Sequence, residues 1–145
     1  MRHATAEVSG SGPDATRRLT EHGRREAREA GKAILERKAT IAVVLSSPLI
    51  RARETAELVA VELGSGVKVE IRAALGAGAT GEVFREEIEA QADGEVLLVG
   101  HNPDLSALAS TLVRQIVGFR PSTVCCFEIV TGAATLLWSR HPDTG

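Results

Sequence analysis

Three short stretches carry basic side chains where chemistry on an anion could be done: Arg2-His3 at the start, Ser47-Pro48-Leu49-Ile50-Arg51-Ala52, and Val99-Gly100-His101-Asn102-Pro103. An imidazole beside a guanidinium is, alone, an ordinary solvated pair. The two later stretches each follow a short apolar run that reads as a buried strand, however, and strand ends are where an α/β fold builds its sites. If Arg2-His3 reaches the same sheet edge as Arg51 and His101, the four side chains form a cationic pocket. A phosphoryl group carries nearly two negative charges, and a planar guanidinium can hold two of its oxygens at once. The helix starts after Ser47 and Asn102 would add backbone N–H donors. Nearby arginines would keep His3 neutral and its lone pair free. A neutral imidazole can attack phosphorus in line and give a covalent phosphoenzyme.

The elements that must position these residues follow from pattern. Thr5 to Arg18 is rich in Ser, Gly, Pro, Asp and Thr and reads as a long loop of the kind that is often functional. Thr20 suits an N-cap for a helix to about Arg37, with Ala27, Ala30, Ile34 and Leu35 as its apolar stripe. The continuous run 41–45 predicts a parallel strand covered on both faces, and Ser46-Ser47-Pro48 leads into a helix to about Leu63. Val67 to Ile71 predicts a short strand, 73–81 a flexible loop, and Gly81 to Ala92 a polar surface helix. Val96–Val99 predicts the second buried strand, and Asn102-Pro103 starts a helix to about Val117. Thr123 to Val130 and Ala134 to Trp138 predict a hairpin through Thr131-Gly132. The alternation gives a three-layer α/β sandwich: a mostly parallel central sheet, helices on both faces, and an antiparallel piece at the end.

Composition narrows the function classes. A chain of 145 residues, 43% apolar and 25% charged, fits one globular domain over 1–145. The net charge of −2 argues against nucleic acid as a partner, so any anion site must come from local arginines. No apolar run suits a membrane span and no signal peptide is evident, which makes a cytoplasmic protein the expectation. Cys125 and Cys126 are adjacent and lack the spacing of a redox or metal pair, so they read as core and surface thiols. With four scattered histidines, neither a metal site nor any other cofactor is expected.

Arg2-His3, Arg18-Leu19-Thr20 with Gly23, Ser47-Pro48 with Arg51-Ala52 and Thr55-Ala56, and Gly100-His101 together resemble the histidine phosphatase superfamily, whose fold is phosphoglycerate mutase-like. The run Val99 to Leu105, the short length and the ending around Leu137-Trp138 to Pro142 resemble its small SixA-type phosphohistidine phosphatase branch. The resemblance implies that His3 is the nucleophile and that Arg2, Arg51 and His101 hold the phosphoryl oxygens. It gives Arg18 a secondary substrate role at the pocket mouth; the helix starts that follow them, not the resemblance, make Ser47 and Asn102 further substrate-binding positions. Phosphohistidine on a protein is the implied substrate, or else a small phosphate ester. A non-catalytic phosphate-binding module is the alternative from another class.

Two departures from the family pattern bear on this. The family places an apolar strand directly before its Arg-His, whereas here the first central strand is missing or shortened, so an apolar segment ahead of Met1 in the reading frame is expected. Many members also use a carboxylic acid to protonate the leaving oxygen. The loop 73–81 has no Asp or Glu, and Glu82 is a weak candidate. Cleavage of a P–N bond needs such an acid less, which favours phosphohistidine. Plainer readings stand beside these: Arg51 could instead pair with Glu54 at i,i+3, while Arg53, His22 and His141 read as solvated and Asp14 as an Asx-turn residue.

Overall fold

The computed structural model describes residues 1–8, 12–91, 94–130 and 133–142. Its element order is α1 (Glu21–Glu36), β1 (Ile41–Ser46), α2 (Ile50–Leu63), β2 (Lys68–Ile71), α3 (Gly81–Glu89), β3 (Glu95–Val99), α4 (Asp104–Val113), β4 (Val124–Val130) and β5 (Ala133–Arg140). Strands β2, β1 and β3 lie in that order in a parallel sheet, while β4 and β5 form an antiparallel ribbon. The parallel sheet flanked by helices is the phosphoglycerate mutase-like architecture expected.

Both faces of the sheet are covered because neighbouring residues of β1 point opposite ways. Val44 joins Ala27, Ala30, Ile34, Ala52, Ala56 and Val59 in a core under α1 and α2. Leu45 joins Leu75, Phe84, Leu105 and Ala109 in a second core under α3 and α4. Small side chains bring α1 and α2 close together: a Cβ at Gly31 would lie 2.7 Å from that of Glu62.

Beside β3, Met1–His3 forms a single parallel bridge, Arg2 to Gly100, in the place of a first strand. The Met1 nitrogen donates to the Leu98 carbonyl (2.8 Å), Gly100 N–H to Met1 O (3.0 Å) and His3 N–H to Gly100 O (3.1 Å). On the other side Arg2 N–H donates to Thr123 O (3.1 Å) and Ser122 N–H to His3 O (3.0 Å). Three residues thus connect the parallel sheet to the β4–β5 ribbon.

Several local expectations need correction. Leu35, assigned to the α1 stripe, is 49% exposed, and the stripe is closed by Gly31 instead. Helix α2 starts at Ile50, because Leu49 is still extended (φ −67°, ψ 138°) and serves as the N-cap. The supposed loop 73–81 contains a 3-10 turn at Ala73–Leu75, which buries Leu75. The polar α3 is anchored by buried Phe84. Helix α4 stops at Val113, where Arg114 turns left-handed (φ 54°). Cys125 and Cys126 are both half-buried, with a register shift directly after Cys126. The expected hairpin turn Thr131-Gly132 and the expected helix end at Ala92 lie outside the described residues.

Candidate active site

Parallel pairing of β1 with β3 puts Ser46 beside Val99, so the segments beyond them emerge at one sheet edge. Arg2 pairs with Gly100 there. His3, Arg51 and His101 are therefore brought together, each at most 8% exposed. The two imidazole rings lie 5.3 Å apart, centroid to centroid.

Each group has its orientation set by a neighbour. His3 Nδ1 lies 2.7 Å from the Ala4 carbonyl oxygen. A carbonyl can only accept, so the proton sits on Nδ1 and the lone pair is left on Nε2. Ala4 is held in turn: its N–H donates to Thr55 Oγ1 (3.0 Å), and that hydroxyl donates to the Arg51 carbonyl (2.7 Å). The loop carrying the imidazole is thereby tied to the helix carrying the arginine.

Ser47 Oγ accepts from Leu49 N–H and lies 2.7 Å from His101 Nε2. His101 Nδ1 is buried and has no partner. Arg2 donates through one terminal nitrogen to the Phe119 carbonyl (3.0 Å). Asn102 donates to that same carbonyl (3.1 Å) and accepts from Ser106, so it holds local structure around Arg2. Ser47 likewise holds the His101 ring in place.

The Nε atoms of Arg2 and Arg51 are also buried without partners. Buried polar atoms are paired in folded proteins, and a group of orphans needs a reason. Two orphaned guanidinium N–H donors and the unpartnered His101 nitrogen, on residues gathered around His3, describe a cradle for a tetrahedral anion.

The sequence reading missed part of the site. Asp14, read as a turn residue, accepts from Arg51 through its carboxylate (3.0 Å) and its backbone carbonyl (2.9 Å). Arg17 grips the same carboxylate at 2.8 Å. It is therefore Arg17 that stands next to Arg51 through Asp14. Arg18 is exposed and lines a shallow depression with Ile50, Arg53, Glu54 and Glu57. The i,i+3 spacing of Asp14 and Arg17 was the available signal. Glu54 does not pair with Arg51; it accepts from Leu19 N–H (3.2 Å). Glu82 is exposed in the first turn of α3. Among the described residues, no three His, Cys, Asp or Glu side chains are grouped as metal ligands, and no helix is long and apolar enough to cross a membrane.

His3 and His101 are each lowered from 6.5 to about 4. Burial is the first cause for both, ahead of the arginines that the sequence pointed to. Between pH 6.5 and about 4 the unfolded chain binds protons at these histidines that the folded chain does not. Stability therefore falls as pH drops through that window and is not eroded by these groups above it. Imidazole proton resonances of His3 and His101, followed by NMR, are expected to titrate at about 4. Titration near the ordinary value would contradict the buried, neutral pair.

Residues 1–82, more than half of the chain, match the histidine phosphatase superfamily (branch 1), and the chain belongs to that family. Within it the SixA-type branch is the match. The structure of the protein histidine phosphatase SixA complexed with tungstate superimposes with a TM-score of 0.84 at 26% identity, covering 96% of this chain and 92% of that one. The structure designated SixA from Nakamurella multipartitia gives 0.84 at 28% identity, covering 98% and 93%. In sequence, the chain is 43% identical over 74 residues to an uncharacterized protein of Picosynechococcus sp., a match covering 48% of this chain and 43% of that protein's length.

Proposed function

We propose that residues 1–145 form one cytoplasmic domain that dephosphorylates phosphohistidine on proteins through a covalent intermediate at His3. The observation that carries this reading is the set of orphaned nitrogens on Arg2, Arg51 and His101 around the free lone pair of His3. The Nε2 lone pair of His3 attacks phosphorus while the P–N bond to the substrate imidazole breaks. The substrate ring, already protonated on its other nitrogen, keeps the bonding pair and departs as neutral imidazole. Water then attacks the phosphorus of phospho-His3, releasing inorganic phosphate and restoring Nε2. Charge on the transferring group is met by the two guanidiniums and by His101, so the scheme calls on no metal.

The leaving group follows from the carboxylates. Hydrogen bonds from Arg17 and then Arg51 hold Asp14 well below the usual carboxylate range, so at neutral pH it has no proton to give an alkoxide. Substrate imidazole, a far better leaving group than a serine alkoxide, needs no such donor. The likeness to a protein histidine phosphatase supports the same substrate class.

The test compares rates on one carrier protein phosphorylated on histidine and one phosphorylated on serine. We expect kcat/KM higher on phosphohistidine by roughly a hundredfold or more, the scale of one general-acid contribution. Equal rates, or preference for a small phosphate ester, would assign the pocket to phosphomonoesters. Binding without turnover of either would leave a phosphate-binding module.

A further inference from the structure

Arg51 presents a buried fork, and the chain itself occupies it. One terminal nitrogen donates to the Asp14 carbonyl (2.9 Å) and the other to Asp14 Oδ2 (3.0 Å), leaving Nε as its orphan. The other carboxylate oxygen of Asp14 is gripped by Arg17 through Nε (2.9 Å) and a terminal nitrogen (2.8 Å). Arg17 is fastened to the Glu7 carbonyl (2.8 Å). An internal carboxylate therefore sits on the guanidinium that a phosphoryl group at His3 would need.

The two sides of this contact differ in burial. The Arg51 side chain is 6% exposed and that of Asp14 is 62% exposed. Arg51 is held in place, whereas the Asp14 side chain can turn into solvent without dismantling a core. A carboxylate left beside an arriving dianion would repel it, and one that turns away gives up its charged contact with Arg51. Either way an oxyanion meets a cost at this pocket that an empty fork would not impose.

Resting on the reading of this pocket as a phosphoryl site, we propose that Asp14 is a specificity-determining residue: an internal competitor for Arg51 that lowers the affinity for small free oxyanions. Inorganic phosphate, the product, is weakened most in relative terms, since it has only the pocket to bind. A phosphoryl group borne on a protein brings further surface contacts against the 12–18 rim to offset the exchange.

The probe is tungstate, a tetrahedral oxyanion, titrated calorimetrically into wild-type protein and into Asp14→Asn, Asp14→Ala and Arg51→Ala variants. Circular dichroism and melting confirm that each is folded. Removing one exposed competing charge should tighten tungstate binding about three- to tenfold in both Asp14 variants. The gain should vanish when either is combined with Arg51→Ala. Unchanged or weaker binding in folded Asp14→Asn and Asp14→Ala would overturn the competitor role and make Asp14 a residue that positions Arg51. Absence of tungstate binding to wild type and variants alike would instead overturn the phosphoryl-site reading, and this proposal with it.

Discussion

A His3→Ala variant is expected to keep its fold and lose phosphate release by a factor of about ten thousand or more, the scale on which nucleophile removal acts. Three features make the loss large. The Ala4 carbonyl fixes the proton on Nδ1, so the attacking atom is pre-set. Burial keeps the ring neutral, its value lowered to about 4, so nearly every molecule is competent at neutral pH. The orphaned nitrogens on Arg2, Arg51 and His101 are arranged around that ring, and without it they hold an anion with nothing to receive the phosphoryl group. Tungstate binding should survive in this variant, which separates loss of the nucleophile from loss of the pocket.

The second large effect comes from a residue that touches no substrate. Gly23 lies in the first turn of α1, and a Cβ there would stand 2.0 Å from the Thr5 carbonyl oxygen and 2.9 Å from its carbon. Both are backbone atoms and neither can swing aside. Thr5 is also pinned by donation of its N–H to Glu26 (2.9 Å) and by acceptance from Thr20 N–H (3.0 Å). Helix propensity alone favours Gly23→Ala by about 1 kcal/mol. Overpacking costs about 1–3 kcal/mol, and a clash this deep belongs at the upper end, so the net is destabilising. Relief requires the Thr5–Ala6 peptide to move, and Thr5 N, 3.1 Å from the same Cβ, carries the strain into the adjoining peptide whose Ala4 carbonyl orients His3. A displacement near 1 Å at a reacting group costs roughly a hundredfold in rate. We expect Gly23→Ala to melt lower and to lose about that factor in kcat. A more stable variant with full activity would show that α1 does not position the nucleophile.

The parts of the fold legible in the sequence were those with a period or a punctuating residue. Strands β1 and β3 declared themselves as continuous apolar runs because both faces of the sheet are covered. Thr20 was recognisable as the α1 cap, and its hydroxyl does accept from Gly23 N–H (2.9 Å). Arg51 and His101 followed from their places just past those strands. The Asp14–Arg51 contact was not legible, because the two lie 37 residues apart; the i,i+3 spacing to Arg17 was the local hint, and an Asx-turn accounts for an Asp in that stretch equally well. Arg17, which meets Asp14, was not legible for a related reason: in irregular backbone, side-chain direction has no period to be read from. Thr55 was noted only as part of a motif, yet its hydroxyl joins the nucleophile loop to α2. Contacts of this kind depend on tertiary closure and leave no local trace.

Rapid acid-free quenching of the enzyme with a carrier protein bearing radiolabelled phosphohistidine, followed by peptide mapping, bears most directly on the covalent role of His3. The expected result is a label that is acid-labile and base-stable on the peptide containing His3, formed within one turnover and absent from His3→Ala. Turnover with no label on that peptide in wild type, or a label on another residue, would contradict it.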